Sequence, residues 1–329
     1  MRWLFRLLLG LIVLVAAALG LSYVFLADPD MPRDVLVQKY GKAPSQFADL
    51  PSGATAHFRD QGNKNAPPVI LLHGSNASLH TWEPWVREFG DRLRVISVDL
   101  PGHGLTGATP QADYTLDGMG AFLDEFATQM GLTSFALAGS SMGGAVAVKY
   151  AQGKPWRVTS LILVDSAGIA LPGMDPPIGI RIATTPVLNQ ITRAFPTRGL
   201  YEAGLKASFT DQSLVTKEMI DRYWELNRGP GVRDATRKRF STPWSELVAE
   251  EQKIEAALPA MTTRTLILWG RDDKLVPLAA AEVFRSKIPG AQLIVYDKSG
   301  HIPQEEVPAK SAADAAAFLL AVPPPVSSP

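Results

Sequence analysis

The chain of 329 residues contains no cysteine, and this absence excludes three kinds of chemistry. No disulfide can form, no lipid can be attached through a cysteine, and no thiol can act as a nucleophile. Excess charge is also missing, because 32 lysines and arginines are balanced by 32 aspartates and glutamates. Without a basic surface field to attract phosphates, we do not expect the chain to bind nucleic acid.

Motifs for metals and nucleotides are missing as well. The five histidines show neither H-x-x-H nor H-E-x-x-H spacing, so no metal site is expected. The glycines at 139–144 lack the G-K-[S/T] of a phosphate loop and the spacing of a dinucleotide fingerprint. The sequence therefore predicts a function that needs no cofactor.

One long hydrophobic run is present at the N-terminus. Residues Leu7–Ala27 carry no charge, and about 20 apolar residues suffice to span a bilayer as a helix. Arg2 and Arg6 precede the run and Asp28 and Asp30 follow it, which predicts a cytoplasmic N-terminus. We therefore predict an uncleaved membrane anchor, with the following domain on the outer, periplasmic side of the inner membrane. A cleaved signal peptide is the alternative, and it would leave the domain secreted.

Short apolar runs alternate with helical patterns after the N-terminal region. Runs such as Val69–Leu72 and Gln292–Tyr296 predict buried strands, and Thr115–Met130 carries apolar residues at helical spacing. This alternation predicts an α/β fold with a mostly parallel sheet flanked by helices. Between Asp165 and Thr265 no strand pattern is found, and pieces punctuated by proline and glycine predict several short helices.

The stretch Gly139–Gly143 reads G-S-S-M-G, a G-x-S-x-G pattern between a strand-like and a helix-like run. A serine on such a sharp turn presents its hydroxyl above the sheet edge, and small neighbours let the backbone make the turn. The helix behind it directs free N–H groups and a positive dipole end at negative charge that develops there. Ser141 is therefore the candidate nucleophile.

A serine nucleophile needs a base, and an acid that orients the base. His301 lies in the loop Ser299–Pro303 after the last strand-like run, where parallel sheets present functional side chains. Asp272 and Asp273 lie side by side in the loop after the preceding run. The order Ser, Asp, His along the chain is the order expected for this architecture.

Five motifs in this order resemble those of the α/β-hydrolase fold family, within its large group of cap-bearing serine hydrolases and esterases. The motifs are Leu71–Gly74, Asp99–Gly104, Gly139–Gly144, Trp269–Pro277 and Ser299–Pro303. The resemblance covers residues from about 55 to 320 and implies a helical cap inserted over a Ser-His-Asp triad.

The resemblance also assigns roles to particular residues. In the pattern W-G-x-x-D-x-x-V-P the acid is the third residue after the glycine, which is Asp273 here. Asp272 is the second choice, and Asp165 is the third because some lipases carry the acid after that earlier strand. An oxyanion hole is implied at the backbone N–H groups of Met142, after the nucleophile, and Ser75, after His-Gly.

The four remaining histidines are expected to be structural. His73 and His103 match family positions that shape loops by hydrogen bonding, and His57 lies on an early strand. His80 is expected to be solvated at the start of a helix. Acid–base chemistry is therefore assigned to His301.

The predicted organisation has six parts. They are a signal anchor or transmembrane segment at 1–30, a connector at 31–53 with a short helix around Tyr40, a first part of the hydrolase core at 54–170, a helical cap at 171–258, a second part of the core at 259–321, and a disordered tail rich in proline and serine at 322–329. Apolar residues of the cap are expected to pack the cap itself and to line the acyl side of the pocket.

We expect a carboxylesterase- or lipase-like enzyme that cleaves a lipophilic, small-molecule ester through an acyl-enzyme. Hydrolases that cut carbon–carbon bonds in ring-cleavage diketones share G-x-S-M-G-G and are one alternative. They usually place a tryptophan after the catalytic histidine, whereas this chain has Ile302. Cofactor-free haloperoxidase-like esterases are another alternative. A non-catalytic receptor or scaffold is a further alternative. The intact set of Ser, Asp and His argues against it, because such a protein would not need these residues.

Overall fold

The structure is a computed structural model that describes residues 29–173 and 198–321, together with residues 3, 6, 9, 10, 13, 14, 17 and 185. Most of the predicted anchor, the cap residues 174–184 and 186–197, and the tail at 322–329 lie outside the described residues. Within the described part of the chain, no helix combines the length and apolar character needed to cross a membrane.

The described residues form one eight-stranded sheet. Its strands are β1 Ser45–Asp49, β2 Thr55–Gly62, β3 Pro68–Leu72, β4 Arg94–Val98, β5 Phe135–Ser140, β6 Val158–Val164, β7 Arg264–Gly270 and β8 Gln292–Tyr296. Across the sheet the order is β1-β2-β4-β3-β5-β6-β7-β8. β2 is antiparallel to both of its neighbours, and all other pairs are parallel. The predicted α/β fold with a mostly parallel sheet is confirmed.

Helices connect the strands and cover both faces of the sheet. They are α1 Arg33–Tyr40, α2 Glu83–Phe89, α3 Leu116–Gln129, α4 Met142–Gly153, α5 Arg198–Ser208, α6 Lys217–Leu226, α7 Val232–Phe240, α8 Trp244–Ala257, α9 Leu278–Lys287, the one-turn α10 Pro303–Glu306 and α11 Pro308–Leu320. Four of them, α5 to α8, lie between β6 and β7 in the chain, where the sequence predicts short helices.

Strand β3 shows how the sheet is buried on both faces. Val69 and Leu71 pack in a hydrophobic cluster that includes residues of α2 and α11. Ile70 and Leu72 point the other way, into a cluster that includes residues of α3 and α4. All four side chains are buried, which explains why the strand reads as a continuous apolar run rather than as an alternating one.

The sequence did not predict β1. Ser45–Asp49 falls within the predicted connector, yet it pairs antiparallel with β2 at the edge of the sheet. Its five residues are all exposed or only partly buried, so no hydrophobic pattern marks the strand. The helix expected around Tyr40 is present as α1.

The topology gathers four chemically interesting residues at one edge. Ser141 follows β5, Asp165 follows β6, Asp273 follows β7 and His301 follows β8. These strands are parallel neighbours, so their carboxyl ends meet at the same edge of the sheet. This edge is where open α/β sheets bind ligands.

Candidate active site

Ser141 lies on a strained turn between β5 and α4. Its backbone has φ 52° and ψ −120°, a conformation that side-chain-bearing residues rarely adopt. A Cβ on Gly139 would lie 2.2 Å from the carbonyl oxygen of Gly143, and a Cβ on Gly143 would lie 2.4 Å from that of Leu72. Only glycine fits at both positions, which gives the physical reason for the G-x-S-x-G spacing.

The two residues predicted for the oxyanion hole lie beside this turn. Met142 is the first residue of α4, so its N–H is one of the unpaired donors at a helix N-terminus. The Ser75 hydroxyl donates to the Met142 sulfur at 3.3 Å. A Cβ on Gly74 would lie 3.1 Å from Ser141 Cβ, so the loop after β3 runs directly over the serine. The position suits donors that face a developing oxyanion.

Asp273 and His301 form a buried pair. The Nδ1 atom of His301 lies 2.7 Å from Oδ2 of Asp273. The other carboxylate oxygen, Oδ1, accepts hydrogen bonds from the backbone N–H groups of Leu275 at 2.7 Å and Val276 at 3.0 Å. The carboxylate is therefore held in place, and a proton on Nδ1 leaves Nε2 of the histidine free to act as a base. Asp272 is exposed, and its carboxylate accepts from the Thr210 hydroxyl instead.

Asp165, the third choice for the acid, lies behind this pair. It is fully buried, has φ 43°, and accepts a hydrogen bond from the Gly270 N–H at 2.9 Å. One oxygen of Asp165, one of Asp273 and one nitrogen of His301 lie within 4.8 Å of one another. Burial, and then the neighbouring Asp273, raise the pKa of Asp165 well above its usual range, which favours the protonated form of this carboxyl.

The same three groups are close enough to hold a cation. A metal site requires deprotonated carboxylates, however, and the raised pKa of Asp165 disfavours that form. Both oxygens of Asp273 already accept hydrogen bonds from N–H groups. The contacts therefore fit acid–base chemistry better than metal binding.

The sequence pattern of the alpha/beta hydrolase fold matches residues 67–308, a range that includes Ser141, Asp273 and His301. The chain belongs to the alpha/beta hydrolase fold family. The predicted family and the prediction that the chain is an enzyme are thereby confirmed.

Relatives of this hydrolase act on different substrates. The chain is 27% identical over 263 residues to 2-hydroxy-6-oxo-2,4-heptadienoate hydrolase of Pseudomonas putida, over 78% of this chain and 90% of that one. It is 29% identical over 258 residues to a monoacylglycerol lipase of Xenopus laevis, over 75% of this chain and 74% of that one. Among solved structures, a bacterial membrane phospholipase A matches with a TM-score of 0.67 and 25% identity, over 95% of this chain and 97% of that one.

His73 supports the loop after β3, which carries Ser75. Its Nδ1 donates to the carbonyl oxygen of Gly74 at 2.8 Å, and its Nε2 accepts from the Leu100 N–H at 3.0 Å. Burial lowers the pKa of His73, which keeps the ring neutral as these two bonds require. The ring thus ties the loop after β3 to the loop after β4, a loop-shaping role like the one that the resemblance implies.

The prediction for His80 is wrong. His80 lies at the start of a 3₁₀ turn but is only 4% exposed. Its Nε2 accepts from the Arg59 guanidinium, and its Nδ1 donates to the Ser78 hydroxyl. Burial, and then the neighbouring Arg59, lower the pKa of His80 to about 3. A buried arginine partner, which no local pattern reveals, explains the error.

The segment between β6 and β7 contacts the loop that carries His301. Leu205, Phe209 and Ile220 form a buried cluster with Ile302, the residue after the candidate base. The carbonyl oxygen of Ser208 accepts a hydrogen bond from the His301 N–H at 2.8 Å. Apolar packing from this segment therefore covers the histidine, as a cap over the site would.

Two residues that the sequence analysis did not single out contact the loop after β3. The Asn227 amide donates to the carbonyl oxygen of Asn76 at 2.7 Å. The Arg239 guanidinium donates to the Asn76 side-chain oxygen at 3.1 Å. These contacts join positions more than 150 residues apart in the chain, and no motif marks either residue.

Proposed function

We propose that this hydrolase cleaves a carboxylic ester through an acyl-enzyme formed on Ser141. The observation that carries the proposal is the buried hydrogen bond between Asp273 and His301, at the same sheet edge as the strained Ser141 turn. An imidazole oriented in this way can deprotonate a serine, and a serine at a helix N-terminus lies beside N–H donors for the oxyanion.

The mechanism follows from these positions. Ser141 Oγ attacks the ester carbonyl while His301 Nε2 takes the hydroxyl proton, and the N–H groups of Met142 and Ser75 hold the oxyanion. Collapse expels the alcohol, which leaves with the proton from His301. Water then adds to the acyl-enzyme, again giving its proton to His301, and the acid leaves as Ser141 regains its proton. Asp273 stabilises the imidazolium in both halves.

Substitution of the serine tests the proposal. Ser141→Ala should lower kcat on nitrophenyl esters on the order of 10⁴–10⁶-fold without unfolding the protein. Ser140→Ala is the matched control, since Ser140 is buried and its hydroxyl accepts from the Gln304 amide, away from the nucleophilic position. Loss of activity in the Ser140 variant rather than in the Ser141 variant would contradict the assignment of the nucleophile.

Cleavage of a carbon–carbon bond is the second candidate function. It is favoured by the relative named 2-hydroxy-6-oxo-2,4-heptadienoate hydrolase and by the shared G-x-S-M-G-G motif. Two observations disfavour carbon–carbon bond cleavage. Residue 302, after His301, is isoleucine rather than tryptophan, and another relative is a monoacylglycerol lipase. Purified protein assayed on a series of nitrophenyl esters and on a ring-cleavage diketone separates the two. A higher kcat/KM for the diketone than for the nitrophenyl esters would contradict the ester proposal and favour carbon–carbon bond cleavage.

The proposed location is the outer side of the inner membrane, with Leu7–Ala27 as an anchor. The charge pattern around this run supports it. Two residues after the run, the carbonyl oxygen of Pro29 accepts hydrogen bonds from Arg228 and Arg233, which lie between β6 and β7 in the chain. An anchor would then be held beside the segment between these two strands. A carbonate wash of membranes tests the anchor, and release of the full-length protein by that wash would contradict it.

A further inference from the structure

Arg239, in the last turn of α7, places its guanidinium against the loop after β3 that carries Ser75 and Asn76. Arg239 Nη2 donates to the side-chain oxygen of Asn76. The remaining nitrogens, Nε and Nη1, are buried, and among the described residues neither has a hydrogen-bond partner. A buried guanidinium has only donors, so these unused N–H groups require an acceptor that the described part of the chain does not supply.

No counter-charge offsets this arginine among the described residues. Burial lowers the pKa of Arg239 to about 10, and only Tyr201 and Tyr114 oppose that shift. Arg222, another buried arginine of the same region, differs because Glu305 lies 3.3 Å away and forms an ion pair with it. An unpaired buried charge is costly for the folded state, and such groups concentrate at binding sites, where a ligand provides the missing partner.

The guanidinium also contacts the loop that faces the candidate nucleophile. It bonds to Asn76, and Asn76 directly follows Ser75, whose N–H is proposed to hold the oxyanion. Gly74, one residue earlier, packs against Ser141. A group bound to Arg239 would therefore lie beside the loop that packs against Ser141.

We propose that Arg239 is a binding residue for a carboxylate on the substrate, so that the favoured substrate is an ester carrying a free carboxylate near the scissile carbonyl. This inference rests on the proposed ester hydrolysis and narrows its substrate class. The carboxylate would accept charge-assisted hydrogen bonds from the unused N–H groups and would supply the absent counter-charge.

A pair of esters with equal chain length tests the inference. Mono-p-nitrophenyl glutarate ends in a carboxylate, and p-nitrophenyl pentanoate is its neutral counterpart. We expect kcat/KM to be at least about 10-fold higher for the glutarate, as one charge-assisted interaction provides. Arg239→Met should abolish this preference, mainly by raising KM for the glutarate. Arg239→Lys should retain part of the preference because it keeps the charge.

Arg237→Met is the matched control on the same helix. Arg237 has a 44% exposed side chain and pairs with Asp234, so its loss should not change the preference. Circular dichroism and thermal unfolding check that the Arg239→Met variant is folded. An equal or higher kcat/KM for the neutral ester in the wild type, or an unchanged ratio in Arg239→Met, would overturn the inference.

A binding measurement separates this inference from the proposed reaction. In the Ser141→Ala background, calorimetric titration should show tighter binding of monomethyl glutarate than of dimethyl glutarate. Addition of Arg239→Met should remove the difference. If the wild type hydrolyses neither nitrophenyl ester but this difference is found, the ester proposal fails and the carboxylate site stands. Equal binding of the two glutarates overturns the carboxylate site whatever the enzyme hydrolyses.

Discussion

At the scale of single residues, the mechanism depends on which carboxylate holds His301. The sequence places Asp272 and Asp273 side by side, and only the family spacing separates them. In the structure, Asp273 is 8% exposed and contacts His301, whereas Asp272 faces solvent. The two N–H donors to Oδ1 come from the turn after Asp273, so the same short loop that carries the acid also fixes its orientation.

Asp273→Asn should lower kcat on the order of 10⁴-fold, because an amide nitrogen facing Nδ1 favours the wrong histidine tautomer. Asp272→Asn should lower kcat less than about threefold, since that side chain is exposed and accepts a hydrogen bond from Thr210 instead of His301. Both variants are measured with one nitrophenyl ester. A reversed ranking would transfer the role to Asp272.

The stability of the Asp165→Asn variant relative to the wild type should increase as pH rises. The raised pKa means that folded Asp165 stays protonated above its ordinary value of 3.8, where the unfolded chain has already released this proton. The contribution of Asp165 to the free energy of unfolding therefore falls as pH rises toward the folded pKa. An asparagine of the same shape does not titrate, so the variant does not lose this stability. Thermal unfolding of both proteins between about pH 4 and pH 8 checks the sign. A difference in Tm that does not grow with pH would show that Asp165 is charged when folded.

At the scale of elements, the β5–α4 turn explains why the serine motif is readable from sequence. Close approach of the loop after β3 leaves no room for a Cβ at Gly143, where a Cβ would lie 2.4 Å from the Leu72 oxygen and 2.5 Å from the His73 oxygen. The steric requirement is local, so it leaves a local pattern. Strand β1 is the opposite case, because an exposed five-residue edge strand depends on its partner β2 and leaves no pattern.

Gly143→Ala should destabilise the protein by about 1–3 kcal/mol or more and should lower activity, since the added methyl group displaces the turn that carries Ser141. Gly153→Ala, at the other end of α4, is the control, because a Cβ there meets nothing within 4 Å. Urea unfolding and ester turnover are compared for both. Equal stability of the two variants would contradict the steric reading of the motif.

At the scale of the whole molecule, the sequence predicts features that depend on neighbouring residues and misses contacts between residues that are distant in the chain. The motifs around Ser141 and His301 and the apolar runs sufficed for the family, the parallel sheet and the enzyme class. The buried state of His80 and the position of Arg239 over Asn76 could not be predicted. Each depends on a partner distant in sequence, Arg59 for the first and the loop after β3 for the second.

A chain that begins at Asp28 should fold, remain in the soluble fraction and keep the kcat of the full-length protein. The motifs of the site all lie after residue 54, and Pro29 keeps its contacts with Arg228 and Arg233. Loss of the apolar run removes the proposed anchor, and the candidate residues Ser141, Asp273 and His301 lie outside it. Ultracentrifugation and an ester assay check both parts. An inactive or misfolded product would show that the first 27 residues contribute to the domain.

The most direct test of the central claim is mass spectrometry of the protein after reaction with a fluorophosphonate, which phosphonylates activated serines. One adduct is predicted, on the peptide that contains Ser141. Ser141→Ala should abolish the adduct, and His301→Ala should slow its formation by several orders of magnitude, because the base that activates the hydroxyl is missing. No adduct, or an adduct on another residue that persists in Ser141→Ala, would contradict the serine hydrolase mechanism.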